Sequence, residues 1–169
     1  MNEKMDVLFG AYIAIENGKI AYMGKDAPEG QPKTIIDGTG MVAMPGLINC
    51  HTHLAAAGLR NLLDDTPRAE ALSQQLFRED KLDAKSAKAS ALLGIAEAVR
   101  FGTTSVSDLY YYPGVTAEAA KETGIKANIA LSAYRFVDAN EDFDFDTDEQ
   151  CREFCRLAEK WQDDPQIRV

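Results

Sequence analysis

The feature that most restricts the fold is an alternation of strand-like and helix-like segments. From residue 46 onward, short apolar or β-branched runs alternate with segments whose apolar residues recur at helical spacing. The clearest helix pattern is AKSAKASALLGIAEAVRFG, in which Ala91, Ile95 and Ala98 share a face and Gly102 provides a stop. The strand patterns are GLINCHTHL, TTSVSDLYYY, IKANIALSAY and PQIRV. Such an alternation predicts βαβ units and a parallel sheet, which is an α/β fold.

Two closed architectures contain such units, the doubly wound sheet and the (β/α)8 barrel. No G-x-G-x-x-G motif follows any strand pattern, so the dinucleotide-binding form of the doubly wound fold has no support. A barrel needs ~250 residues. This chain has 169 residues and reaches only its fourth strand pattern. We therefore expect a partial (β/α)8 barrel, comprising the first three to four βα units, with unpaired sheet edges.

The first forty-odd residues have a different pattern. Asn17-Gly18 separates two runs of strand-forming residues, and Asn-Gly is the strongest short-range hairpin signal. The segment TIIDGTGMVAMPG predicts one more short strand with turns. These strands are too few to be stable without a partner layer. We expect residues 1–44 to form part of a small β-sandwich domain and residues 45–169 to form the N-terminal part of the barrel.

Charge and cysteine content narrow the classes of partner. The net charge of −9 at pH 7 disfavours nucleic acid and anionic lipid, because clustered Lys and Arg bind both. No signal peptide is visible, and no apolar stretch approaches the ~20 residues that cross a bilayer. Cys50, Cys151 and Cys155 form an odd, sparse set that suits a reducing compartment. We expect a cytoplasmic protein without nucleic-acid or membrane partners, whose acidic segment Asp138–Gln150 is a solvated loop.

The two histidines of the chain, His51 and His53, end the first strand pattern of the α/β part. On a strand, residues i and i+2 point to the same face, about 7 Å apart along the chain. Both imidazoles would therefore lie at the C-terminal end of a strand, where α/β folds form their sites. Paired imidazoles suit Zn²⁺, Fe²⁺, Ni²⁺ or Co²⁺. Two hydrogen-bonded histidines without a ligand role are the alternative that the spacing alone leaves open.

The context of this pair resembles a known superfamily. Pro45-Gly46 directly precedes an apolar strand that ends His-Thr-His, as in the amidohydrolases, metal-dependent hydrolases with a (β/α)8 barrel. The resemblance is strongest to the cytosine-deaminase-like branch, which holds methylthioadenosine/S-adenosylhomocysteine deaminases and triazine chlorohydrolases. It covers nearly the whole chain through ENGKIAYMG, IDGTGMVAMPGLINCHTHL, LRNLLDD, GIAEAVRFGTTSVSDLYYY and AAKETGIKANIAL.

The resemblance implies a reaction and a set of ligands. In this superfamily a bound divalent metal, with zinc favoured and iron the alternative, lowers the pKa of its water towards ~7. The hydroxide then attacks a non-peptide C–N bond of a cyclic amidine or nitrogen heterocycle. His51 and His53 match two metal ligands. The other ligands and the acid–base residues come from strands five, six and eight, beyond the four patterns found here, so no catalytic residue is assigned in this chain.

One substrate contact is also implied. LFREDKL aligns with the superfamily segment W-P-x-E-x-x-L, which places Glu79 on the glutamate that holds ribose hydroxyls in nucleoside-type deaminases. A carboxylate can accept hydrogen bonds from two vicinal hydroxyls. Phe77-Arg78 replaces Trp-Pro, however, and the segment fits an exposed helix turn equally well.

For Asp108, at the end of the second strand pattern, we expect a structural hydrogen bond to a neighbouring loop.

The resulting hypothesis is an N-terminal fragment of a deaminase-like or chlorohydrolase-like amidohydrolase, inactive alone. The full-length protein would act on a small heterocyclic substrate and form a homo-oligomer. Two alternatives remain. The chain is a non-catalytic assembly module that oligomerises through its open sheet edges, or it is half of a split enzyme that a second chain completes.

Overall fold

The computed structural model describes residues 6–79, 81–131 and 144–169. They belong to two compact units, Met1–Pro45 and Gly46–Val169. The predicted roles of these two parts, as portions of a β-sandwich domain and of a barrel, stay predictions. Residues 138–143 of the acidic segment predicted as a solvated loop lie outside the described residues. No helix in the described ranges is long and apolar enough to cross a membrane.

The first unit contains one antiparallel hairpin of β1, Tyr12–Glu16, and β2, Lys19–Gly24. The predicted Asn17-Gly18 turn is confirmed, with φ of 52° and 74° at the two positions. Positive φ at both central residues is what a type I′ hairpin turn requires. The strand predicted in TIIDGTGMVAMPG is wrong, since residues 34–46 form no strand. A strand persists only when a neighbour pairs with it, and within the described part of the chain β1 and β2 pair only with each other.

The second unit alternates strands and helices as the sequence predicts. Its elements in chain order are β3 Leu47–Thr52, a 3₁₀ helix Leu54–Leu59, α1 Arg68–Glu79, α2 Ala84–Arg100, β4 Thr103–Tyr110, α3 Pro113–Thr123, β5 Lys126–Leu131, α4 Glu149–Trp161 and β6 Ile167–Arg168. The strands form one parallel sheet in the order β3-β4-β5-β6. The mixed α/β fold with a parallel sheet is therefore confirmed.

The core lies where the helices cover the sheet. Along β4, Val106, Asp108 and Tyr110 are buried, while the residues between them are half-buried or exposed. The main cluster joins β4, β5 and β6 to α2, α3 and α4 through Leu54, Ala91, Ile95, Val106, Ala117, Ala119, Ala120, Ile125, Ala127, Ile129, Trp161 and Ile167. The small alanines of α3 allow its backbone to approach the strands closely.

Strand β3 is exposed although the apolar residues at its start are typical of a buried strand. Leu47 and Ile48 are 50% and 67% exposed. The reason is that β3 is an edge strand of the described sheet, paired only with β4. An apolar run on an edge strand is buried only if another layer covers it.

The helix ends follow local chemistry. Asp83 accepts a hydrogen bond from the Ser86 amide (2.7 Å) and Ser86 accepts one from the Asp83 amide (3.1 Å), a reciprocal cap that begins α2. Gly124, with φ of 83°, ends α3, which agrees with the helix end that a glycine after GVTAEAAKET predicts. Thr147, which Gln150 follows at the spacing of a capping box, is the cap that the sequence predicts for the last helix, and this prediction is wrong. Asp148 caps α4 instead, because its carboxylate accepts the Cys151 amide at 3.0 Å.

Candidate functional site

The two histidines meet at the C-terminal end of β3. His51 occupies the strand and His53 follows it, directly before the 3₁₀ helix Leu54–Leu59. Their Nε2 atoms lie 3.3 Å apart and their ring centroids 4.9 Å apart, at an interplanar angle of 76°. His51 is exposed and His53 is half-buried. Two imidazole nitrogens thus converge on one point that solvent reaches.

The end of β4 fixes the orientation of the His53 ring. His53 Nδ1–H donates a hydrogen bond to the backbone carbonyl of Leu109. The Tyr110 ring lies on the same imidazole, with centroids 5.3 Å apart. Because Nδ1 carries the proton in this arrangement, the lone pair of the neutral ring is on Nε2, the atom that faces His51.

Asp108 holds the backbone that follows His53. Its carboxylate is 1% exposed, and Oδ1 accepts a hydrogen bond from the Leu54 amide at 2.6 Å. The predicted structural hydrogen bond to a neighbouring loop is therefore confirmed. Burial raises the pKa of the Asp108 carboxyl to about 6, although the Leu54 amide and His53 favour the charged form. Oδ2 has no hydrogen-bond partner among the described residues.

The described residues do not add a third ligand to the pair. No group of three or more His, Cys, Asp or Glu side chains in residues 6–79, 81–131 and 144–169 is arranged to hold a metal ion. Cys50 directly precedes His51 in sequence, but alternation along β3 turns its side chain to the opposite face. What this part of the chain offers is two nitrogen donors.

Glu79 lies in a separate cavity of about 250 Å³. The cavity is lined by Ala56, Leu59, Arg60, Asn61, Leu62, Leu63, Asp64, Gln75, Arg78 and Glu79, and by neither histidine. Glu79 is 3% exposed, so the interpretation as an exposed helix turn is wrong for this residue. Gln75 donates a hydrogen bond to Glu79 Oε1 at 2.7 Å, and Oε2 has no hydrogen-bond partner in the described chain. Glu79 therefore lines the cavity and has one buried carboxylate oxygen with the capacity to accept a further hydrogen bond.

Sequence reasoning did not find the contacts of Leu109 and Tyr110 with His53. The Leu109 contact is made by a backbone carbonyl, which every residue possesses, so no residue type could indicate it. For Tyr110 a signal exists. The strands β3 and β4 are parallel neighbours, so the polar and aromatic ends of their patterns meet at the same edge of the sheet.

A comparison with models of protein families identifies the family of the part of the chain that contains the two histidines. The amidohydrolase family model matches residues 42–165, which is most of the chain and contains both histidines. The chain therefore belongs to the amidohydrolase family, and the resemblance inferred from its motifs is confirmed.

Individual relatives agree with this assignment. The chain is 38% identical over 127 residues to a 5-methylthioadenosine/S-adenosylhomocysteine deaminase of Thermoanaerobacter pseudethanolicus, covering 75% of this chain and 30% of that protein. Among solved structures, it resembles an adenosine deaminase of Xanthomonas campestris with bound zinc, with a TM-score of 0.72, 25% identity and coverage of 97% of this chain and 38% of that one. It also resembles a triazine hydrolase variant, with a TM-score of 0.82, 25% identity and coverage of 99% and 42%. The chain thus spans well under half the length of these relatives.

Proposed function

We propose that the chain forms the N-terminal part of a metal-dependent hydrolase of non-peptide C–N bonds, with a deaminase-like or chlorohydrolase-like reaction on a nitrogen heterocycle. The observation that carries this proposal is the convergence of two imidazole Nε2 atoms at the C-terminal end of a parallel strand. The deaminase and triazine hydrolase relatives support the reaction class. The consecutive parallel order β3-β4-β5-β6 supports a partial barrel.

The donor pair fits a zinc ion. Two nitrogen ligands about 2.0–2.1 Å from a tetrahedral zinc lie about 3.3–3.4 Å from each other. The Nε2 atoms of His51 and His53 lie 3.3 Å apart. Both Nε2 lone pairs are free for a ligand when each ring carries its proton on Nδ1, and the Leu109 carbonyl favours that tautomer at His53. Zinc is the preferred metal of this proposal, and iron is the alternative.

The roles of the chain follow from this arrangement. A bound divalent metal would supply a Lewis acid that brings the pKa of a coordinated water towards ~7. His51 and His53 would hold the ion at the end of β3. Glu79 would accept hydrogen bonds from hydroxyl groups of the substrate in its cavity, using Oε2, to which no described residue donates a hydrogen bond.

The isolated chain is proposed to be inactive. A catalytic zinc takes three protein ligands and keeps one open position, whereas the pair supplies two. His51 and His53 are the only histidines of the 169-residue chain, so a third imidazole has to come from elsewhere.

A chimera tests the proposal. Residues 42–165 would replace the matching segment of the Thermoanaerobacter deaminase, and ammonia release from 5′-methylthioadenosine would be measured with and without a chelator. We expect chelator-sensitive activity in the chimera and none in the isolated chain. His51→Ala and His53→Ala should each reduce the activity of the chimera to background, with proportional loss of bound zinc.

Cys50→Ser is the matched control, because Cys50 lies on the same strand with its side chain on the other face. It should retain both activity and zinc. A chimera in which the two histidine variants turn over substrate like the parent would contradict the proposal.

One observation favours the alternative of an assembly module. The exposed Leu47 and Ile48 side chains lie on edge strand β3. Exposed apolar edge strands associate readily. The mass of the chain in solution tests this alternative and the proposed homo-oligomer together. A discrete dimer that Ile48→Lys converts to monomer supports both, and a monodisperse monomer argues against both.

A further inference from the structure

Three consecutive residues at the end of β4 surround His53. Asp108 binds the amide of the following residue, Leu54, the Leu109 carbonyl accepts the Nδ1 proton of His53, and the Tyr110 ring lies against the imidazole. The C-terminal end of one strand thereby determines the position of a side chain that belongs to its neighbour.

The backbone at His53 needs such support. Its torsions are φ −127° and ψ 73°, which belong to neither a regular strand nor a helix. His53 lies between β3 and the 3₁₀ helix Leu54–Leu59, and its carbonyl accepts the Ala56 amide at 2.9 Å. The peptide on its C-terminal side donates to Asp108 at 2.6 Å. This buried hydrogen bond to a carboxylate is of the stronger kind.

We infer that Asp108 is a positioning residue for His53. By fixing the peptide between His53 and Leu54, it keeps Nδ1–H on the Leu109 carbonyl and leaves Nε2 facing His51. Its significance for the metal rests on the proposed function. Groups that orient a metal-binding histidine set its tautomer, and their loss typically weakens metal affinity about 10–100-fold.

A purely structural role makes a different prediction. If Asp108 served only to begin the 3₁₀ helix Leu54–Leu59, its removal would lower stability without changing the tautomer of His53. The two roles are therefore separated by a spectroscopic measurement on the imidazole.

Nuclear magnetic resonance of the full chain is suited to this test, because the chain has only two histidines. Imidazole ¹⁵N shifts distinguish Nδ1–H from Nε2–H. In the wild type we expect His53 to be predominantly Nδ1–H. Asp108→Leu and Asp108→Ala, which remove the acceptor, should give mixed tautomers, whereas Asp108→Asn, which keeps an oxygen for the Leu54 amide, should retain the wild-type spectrum.

Zinc titration of the same samples provides a second measurement. Asp108→Leu or Asp108→Ala should bind zinc about 10-fold more weakly or worse, and Asp108→Asn within a small factor of wild type. Ile129→Val is the control for general destabilisation, because this residue is buried in β5 and should change stability but neither the tautomer nor the affinity.

Each outcome decides the inference. A wild-type His53 that carries its proton on Nε2 would overturn it, even if no Asp108 variant folds. Acceptor-free variants that keep the wild-type tautomer and affinity would also overturn it. A zinc affinity that is the same in His51→Ala, His53→Ala and wild type would refute the proposed metal site instead. The tautomer measurement would still decide the role of Asp108.

Discussion

Lys121 Nζ lies 2.5 Å from Asp164 Oδ2, an ion pair that joins the last turn of α3 to the turn before β6. The other carboxylate oxygen of Asp164 accepts the amides of Gln166 (2.9 Å) and Ile167 (3.0 Å). The Asp164 side chain therefore fixes the start of β6, a strand of two residues that pairs with β5 at Ala127 and Asn128.

The stability of the chain should depend on pH through Asp164. The Lys121 side chain and the Gln166 amide lower the pKa of this carboxyl below its ordinary value of 3.8. A lowered pKa means that the folded state binds the proton less tightly than the unfolded state, so the stabilisation is present above about pH 4 and is lost as the pH falls through the lowered pKa. Asp164→Asn should be less stable than wild type in urea at neutral pH.

The difference between Asp164→Asn and wild type should disappear in strong acid. Asp163→Asn, which changes the exposed carboxylate next to it, should follow the wild-type pH profile. A difference in unfolding free energy between Asp164→Asn and wild type that stays constant from neutral pH to strong acid would contradict the role assigned to the ionised Asp164 carboxylate.

The start of α4 provides a second prediction. The Asp148 carboxylate accepts a hydrogen bond from the Cys151 amide at 3.0 Å, whereas the Thr147 hydroxyl donates one to the Asp144 carbonyl at 3.3 Å. Asp148→Ala should lower the free energy of unfolding by about 1 kcal/mol, as the loss of a helix cap does. Thr147→Ala should change it by less than about 0.5 kcal/mol. Urea denaturation followed by Trp161 fluorescence measures both, and the opposite ranking would restore Thr147 as the cap.

The end of α3 requires a residue with positive φ. Gly124 has φ of 83°, and an L side chain there is strained although its Cβ would meet no atom within 4 Å. Gly124→Ala should cost about 1 kcal/mol of unfolding free energy. Gly114, on the same helix, is the matched control, because its added Cβ would meet only Leu157 at an ordinary 3.6 Å. Gly114→Ala should be neutral or stabilising, and an equal loss in both variants would indicate a packing effect.

Glu79 should affect substrates selectively. In the chimera, Glu79→Gln should weaken kcat/KM for 5′-methylthioadenosine by about 10-fold or more, the value of a hydrogen bond to a charged group. The same substitution should change kcat/KM little for an analogue without ribose hydroxyls. Glu70→Gln is the control, because Glu70 also accepts a hydrogen bond from a glutamine one helical turn away, Gln74, but on an exposed part of α1. Equal losses with both substrates would remove Glu79 from the hydroxyl site.

Local patterns predicted those elements whose cause is local. The Asn17-Gly18 turn, the glycine ends of α2 and α3 and the parallel strands all follow from residue types at fixed spacing. Predictions failed where the outcome depends on neighbours. The TIIDG segment has β-forming residues but no partner strand, and at Thr147 two adjacent residues can both cap a helix, so only the backbone torsions select Asp148.

The same division applies to the candidate site. The His-Thr-His sequence alone predicted that two imidazoles come together at the end of a strand, because side chains along a strand alternate with a period of two. Only the tertiary structure decided the tautomer of His53, the burial of Glu79 and the bond between Asp108 and Leu54, which are 54 residues apart. These three features depend on which strand lies beside β3 and on where α1 packs. A sequence pattern describes the spacing of residues along one element, so it does not give the distance between two elements.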